Sequence, residues 1–190
     1  MDTMKVKETA EKYLYTYKDY AAIDDDNRYE LIDGVLYLMS APSYMHQKIS
    51  GSLFNQLYNF LKGKPCEVLH PPFDVCMFGL GDEDKNVFQP DLLVICDKSK
   101  LSDGKRCNGA PDMVIEIISP SSVNRDTLVK FNKYLQAGVR EYWVIDPDDK
   151  KAHVHILDDD KYITKVYGED DAVAVHGLNG CVIEMREVFA

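Results

Sequence analysis

Apolar positions along this chain change period several times, and each change marks an element. Ile49, Leu53, Leu57, Phe60 and Leu61 recur at helical spacing behind Ala41-Pro42-Ser43. That pattern predicts a helix over 43–62, with Ser43 as N-cap and Gly63 as stop. A second helix is predicted over 124–137, ended by Gly138 in a left-handed conformation. Its buried stripe is read as Leu128, Phe131 and Leu135, with Lys130 off the edge beside Asp126 and Tyr134. A short helix is expected over 16–23, before the acidic turn Asp24-Asp25-Asp26-Asn27. The runs 29–32 and 35–39 flank Asp33-Gly34, a favoured hairpin pair. Further strands are predicted at 66–69, 73–78, 92–96 and 113–118, with a polar hairpin loop at 79–86 and a surface loop at 97–110. The run 142–145 follows the second helix at once, so its strand and the one at 113–118 should be parallel neighbours of a βαβ unit. The segments 152–157, 162–167 and 172–175 read as antiparallel strands, and a last helical turn starts near Glu184. The expectation is one α/β domain over residues 1–190, a mixed sheet with helices packed on it.

Charge complicates any nucleic-acid reading, because the formal net charge is −10 and phosphate contacts depend on Lys and Arg. The charge is unevenly spread. Between Lys98 and Arg140 stand Lys100, Lys105, Arg106, Arg125, Lys130 and Lys133, against only Asp103, Asp112, Glu116 and Asp126. That segment is locally basic, and local sign matters for steering a ligand. The five cysteines (Cys66, Cys76, Cys96, Cys107 and Cys181) are odd in number and nowhere spaced as CxxC. They are read as mostly buried, inert thiols of a reducing compartment rather than a disulfide framework or zinc ribbon. With no apolar run long enough for a membrane helix and a charged N-terminal stretch, a cytoplasmic location is expected.

Glu116 is the informative anomaly. It lies inside Met113-Val114-Ile115-Glu116-Ile117-Ile118, which is apolar on both faces and so reads as a strand buried on both sides. A carboxylate there needs compensation, because desolvating its charge costs several kcal/mol or more. Two readings stand: a structural salt bridge or retained proton, or a metal site. Asp91 opens the strand Leu92-Leu93-Val94-Ile95 directly behind Pro90, where proline is tolerated. Asp112 shares a strand face with Glu116 but stands four residues away, about 13 Å and too far to share an ion. Asp91, from a neighbouring strand, is therefore the better partner.

These residues resemble the PD-(D/E)XK nuclease superfamily and, more specifically, its Uma-type branch of restriction-endonuclease-like proteins. The resemblance runs from about Tyr17 to Phe189. It is carried by Tyr29-Glu30-Leu31-Ile32-Asp33-Gly34, by Met39-Ser40-Ala41-Pro42-Ser43 with His46 behind it, and by Gln89-Pro90-Asp91. It continues through Ala110-Pro111-Asp112 and the Glu116 strand to Ser119-Pro120-Ser121, then Arg125-Asp126, Lys130 and Tyr134. The block from Ala137-Gly138 to Asp146-Pro147 closes it. One departure stands out: the superfamily's lysine two positions after the Glu is Ile118 here. In the Uma-type pattern a lysine of the following helix takes its place, and Lys130 matches it. A solvated Lys130, with Lys133 as the competing candidate, is the other reading.

The resemblance implies a restriction-endonuclease-like core, a central mixed sheet flanked by helices, that hydrolyses DNA. Mg²⁺ (or Mn²⁺) would be held by Asp91 and Glu116, since Mg²⁺ takes one or two carboxylates together with substrate phosphate. Lys130 would orient water or stabilise charge, and Glu30 would add a carboxylate, unless it is merely an exposed strand residue beside Arg28. His46, Gln89 and Tyr134 would line the site, and double-strand cutting would favour a homodimer. Two other classes stay open: a nuclease-fold module that binds or assembles without efficient turnover, and an unrelated hydrolase built on a Glu116–His pair. His153 and His155 share a strand face, though such histidines seldom bind metal. There is no Walker-type loop, GxGxxG element or nucleophile elbow, and Gly79-Leu80-Gly81 is a turn.

Overall fold

The computed structural model describes residues 13–119 and 125–190, with side chains of 125–127 outside the description. One helical turn, α1 (Tyr17–Tyr20), precedes the hairpin β1 (Tyr29–Ile32) and β2 (Val35–Leu38). Asp33 (φ 51°) and Gly34 (φ 75°) are both left-handed, as a two-residue hairpin turn of the favoured hand requires. Gly34 is needed twice over, because an added Cβ would stand 2.8 Å from Leu14 Cβ. α2 (Tyr44–Leu61) starts at Ser43, whose side chain accepts the His46 N–H, and buries Ile49, Leu53, Leu57 and Leu61. Then come β3 (Glu67–Leu69), β4 (Asp74–Cys76), β5 (Val87–Phe88), β6 (Leu92–Ile95), β7 (Arg106–Asn108) and β8 (Met113–Ile117). A π-helical run, Arg125–Lys130, leads into α3 (Phe131–Ala137). Gly138 (φ 80°) ends α3 as predicted. The chain finishes with β9 (Glu141–Asp146), β10 (Lys151–Asp158), β11 (Lys161–Tyr167), β12 (Ala172–Ala174), β13 (Val182–Glu184) and α4 (Met185–Val188).

The main sheet has the order β11-β10-β9-β8-β6-β3 and is mixed, with β8 and β9 as its parallel pair. The βαβ unit read from the sequence is therefore present. α2 covers one face, packing its leucines against Leu92, Val94, Ile115, Ile117, Trp143 and Ile145. The other face carries Leu93, Val114, Tyr142 and Val144 and meets Tyr134 of α3 and Val139 just after the helix. A second sheet, β2-β1-β5-β4-β7, closes over that face with Ile32, Val75, Phe88 and Cys107. The mixed α/β architecture stands, but the second sheet was not foreseen. Its strands β5 and β7 are two and three residues long, too short for a period to register.

Three readings need correction. The buried face of the second helix is centred on Lys130 and Tyr134 rather than on Leu128, Phe131 and Leu135, of which Phe131 is half-buried against the core. Leu128 is 65% exposed, whereas Lys130 (3%) and Tyr134 (0%) point inward. The π-helical run before α3 turns more slowly than an α-helix, so the face deduced from a 3.6-residue period is displaced. The cysteines also divide. Cys76, Cys107 and Cys181 are buried free thiols, and burial pushes the first two up to about 12 and Cys181 to about 11. Cys66 and Cys96, however, form a disulfide. They are brought together because β3 and β6 pair antiparallel with Glu67 opposite Ile95, which sets the next two residues facing each other. Spacing along the chain carries no trace of that pairing.

Lys130 apart, much of the basic segment is engaged away from the cleft. Lys98 pairs with Glu67, Lys100 bonds the Ala110 carbonyl, Arg106 pairs with Asp82 and Asp103, and Arg140 lies beside Asp112. Lys98, Lys100 and Arg140 lie where β6 ends and β8 and β9 begin, at the opposite end of the strands from Asp91 and Glu116, while Arg106 stands opposite Asp74 in the second sheet. The predicted start of the second helix at Asn124, and the resemblance's Pro120-Ser121 and Arg125-Asp126 side chains, lie outside the described residues.

His155 is a structural residue. Its ring sits among Phe131, Tyr142 and Tyr162, and Nδ1 meets Thr164 Oγ1 at 2.8 Å. Burial, and secondarily His153, lowers its pKa to about 4. Below the unfolded value of about 6.5 the unfolded chain binds the proton more readily, so stability falls as pH drops from 6.5 towards 4 and is fully present above that window. The expected size is about 2 kcal/mol, discounted for partial solvent access. Urea unfolding of wild type and His155→Phe across pH 4–7 checks it, and the variant should show the shallower pH slope.

Candidate active site

Strands β6 and β8 run antiparallel with Leu92 opposite Ile115, so the next step of the register sets Asp91 opposite Glu116. Side chains facing each other across such a pair stand about 4.5–5.5 Å apart at Cβ. Asp91 is held from two sides: Oδ2 accepts the Ile117 N–H at 2.8 Å and meets His46 Nε2 at 3.0 Å. The first turn of α2 thus grips the mouth of β6. His46 Nδ1 is buried and has no hydrogen-bond partner among the described residues.

Glu116 is 3% exposed and its Oε1 accepts from Lys130 Nζ at 2.9 Å and from the Tyr134 hydroxyl at 2.6 Å. Lys130 also reaches Glu30 Oε1 at 2.8 Å, so one buried ammonium bridges two buried carboxylates. Tyr134 stays a phenol: burial, then the charges of Glu116 and Glu30, hold its pKa well above the usual value. Helix position explains the set, because Lys130 and Tyr134 are four residues apart and share the face turned to β8. Glu30 is not an exposed strand residue beside Arg28; it is 1% exposed and also accepts the Gln89 N–H at 3.3 Å. Lys133, the competing lysine, turns away to pair with Asp33 of the hairpin.

Glu30, His46, Gln89, Asp91, Glu116 and Lys130 all line one cleft of about 580 Å³. Tyr134 stands behind it as a support for Glu116. An outer ring went unread in the sequence. Arg28 donates to Gln89 Oε1, and Gln89 Nε2 donates to Asp74 Oδ1 (2.9 Å) and to the Tyr20 hydroxyl (3.0 Å). The part of the lining formed by Ser50, Gly51, Phe54, His70 and Pro71 was also missed. Periodicity assigns Phe54 and its neighbours only to a helix, and nothing local ties His70 to Asp91.

The donor chemistry fits a hard divalent cation. Among the cleft's described side chains the carboxylates Glu30, Asp91 and Glu116 outnumber the bases Arg28 and Lys130, leaving a formal charge of −1 if His46 and His70 are neutral. Asp91 Oδ1 accepts no hydrogen bond among the described residues, since both of the contacts of Asp91 fall on Oδ2. Among the described residues no group of three or more His, Cys, Asp or Glu is placed to hold a metal. A Mg²⁺ site needs no such cage, since it takes one or two carboxylates and completes its shell with water and phosphate. Asp91 and Glu116 are the residues that would hold the ion. No helix among the described residues is long and apolar enough to cross a membrane.

Comparison with known proteins bears on the family and the fold. No curated protein matches the chain. A solved structure described as a putative nuclease belonging to DUF820 from Anabaena variabilis ATCC 29413 superposes with a TM-score of 0.73, covering 92% of this chain and 97% of that one. The identity is 20%, so this likeness is one of fold. The family described as "Uma2: Putative restriction endonuclease" matches residues 14–186, nearly the whole chain, and the protein belongs to that family.

Proposed function

We propose that this protein is a divalent-metal-dependent endonuclease that hydrolyses DNA phosphodiester bonds at the Asp91–Glu116 cleft. The observation that carries the reading is the buried Lys130 ammonium shared by Glu30 and Glu116, beside Asp91 on an open cleft. A purely structural ion pair needs two partners and no opening to solvent. Here a third carboxylate faces the same opening, held in place by a backbone N–H and a histidine.

When bound, Mg²⁺ (or Mn²⁺) polarises a phosphoryl oxygen and makes water a better nucleophile. The chain's residues do the rest. Asp91 and Glu116 supply oxygen ligands whose orientation is fixed before substrate arrives, by Ile117 N–H and His46 on one and by Lys130 and Tyr134 on the other. Lys130 keeps a positive charge at the cleft wall, where it orients the attacking water and stabilises charge on the phosphate in the transition state. Glu30 anchors that ammonium, and Gln89 places Glu30 through its backbone N–H. Double-strand cutting would use two such sites, so a homodimer is part of the proposal. Plasmid and oligonucleotide cleavage with Mg²⁺ or Mn²⁺, and after chelation, tests it: metal-dependent nicking is expected, and metal-independent nicking would oppose it.

A further inference from the structure

The part of the cleft lined by α2 beyond His46 has a chemistry that metal-assisted cleavage leaves unexplained. α2 turns Ser50, Gly51 and Phe54 into the cleft, and the loop after β3 adds His70 from the side. The Phe54 and His70 rings meet edge to face, with centroids 5.2 Å apart, and Tyr58 stacks on Phe54 at 5.7 Å, one turn further along α2. His70 Nδ1 donates to the Pro71 carbonyl at 2.8 Å, which holds its ring in place. Gly51 lies in an α-helix, where glycine is a poor choice, yet nothing stands within 4 Å of an added Cβ. Space over the helix backbone is therefore open where the helix lines the cleft.

Charge points the same way. A protein that grips duplex DNA neutralises several phosphates with Lys and Arg. Among the described residues lining this cleft Arg28 and Lys130 are the basic ones, both engaged by protein partners, and Lys98, Lys100 and Arg140 lie at the other end of the strands. Aromatic faces, by contrast, bind unpaired bases whatever their sequence. Resting on the nuclease reading, we infer that the cleft takes an unpaired nucleotide: its base lies over Ser50–Gly51 against the Phe54–His70 pair, and its phosphate faces Asp91 and Glu116. The substrate class is single-stranded nucleic acid, or a duplex opened at the cutting point.

Binding tests this independently of cleavage. A short fluorescein-labelled DNA strand, alone or annealed to its complement, is titrated with the protein in Ca²⁺ and followed by anisotropy. The single strand should bind about tenfold more tightly than the duplex. Gly51→Met, which fills the open space, and Phe54→Leu, which removes the ring, should each weaken single-strand binding about tenfold. Gly51→Met should also melt no lower than wild type, because it replaces a helical glycine, so its loss of binding would not reflect unfolding. Equal or tighter duplex binding, no single-strand binding, or unchanged affinity in both variants would overturn the inference. Cleavage by wild type, measured on the same substrates, judges the nuclease reading separately: a duplex-preferring nuclease would keep that reading and defeat this one.

Discussion

Changing Asp91→Asn and Glu116→Gln together will lower metal-dependent DNA cleavage by at least about 10³-fold, with each single change accounting for most of the loss. Ligand carboxylates that place a cation against a phosphoryl oxygen contribute several kcal/mol to the transition state, and about 4 kcal/mol is already a thousandfold. The amides keep the local packing. At position 116 the amide oxygen can still accept from Lys130 and Tyr134, and at position 91 it can still accept the Ile117 N–H, so the fold should survive. Losses that do not add confirm that the two acids work on one ion, as residues acting as a unit do. Cleavage that survived the double change, measured by single-turnover kinetics on a labelled oligonucleotide, would move the chemistry elsewhere in the molecule.

The second large effect concerns stability. Lys130→Met should destabilise the protein by about 3–5 kcal/mol, because Glu30 and Glu116 would be left as two buried carboxylates without the ammonium they share. Adding Glu30→Gln to Lys130→Met removes one of the stranded charges and should return part of the loss. Divalent ions should also stabilise Lys130→Met more than wild type, since a bound cation would replace the missing positive charge. Urea unfolding with and without Mg²⁺ reads all three. A Lys130→Met variant within about 1 kcal/mol of wild type would mean that the lysine is solvated and the bridge absent.

The centre of the site was legible because it broke a rule. A glutamate inside an apolar strand is an energetic contradiction, and a single sequence displays it without structural help. Asp91 was legible for a related reason, as the one acid placed to open the neighbouring strand. Lys130 was harder to place, since its role came from the family resemblance while periodicity put it on the helix edge. The structure buries it because the π-helical run before α3 shifts which residues face the sheet. Glu30 was open to two readings for want of the second sheet, which converts an alternating surface strand into a wall of the cleft. The Cys66–Cys96 pair, the Arg28–Gln89–Asp74 ring and the aromatic wall depend on contacts between distant segments. Local pattern records none of these, because no single segment bears an anomaly.

Glu116 is proposed as a ligand residue rather than a paired structural acid. Calorimetric titration of Mn²⁺ or Mg²⁺ into wild type and Glu116→Gln, alongside plasmid nicking in the same buffer, tests it most directly. One saturable site is expected in wild type, lost together with nicking in the variant. Equal binding in both proteins, or none in either, would contradict the claim and leave Glu116 as the buried partner of Lys130 and Tyr134 in a module that does not cut.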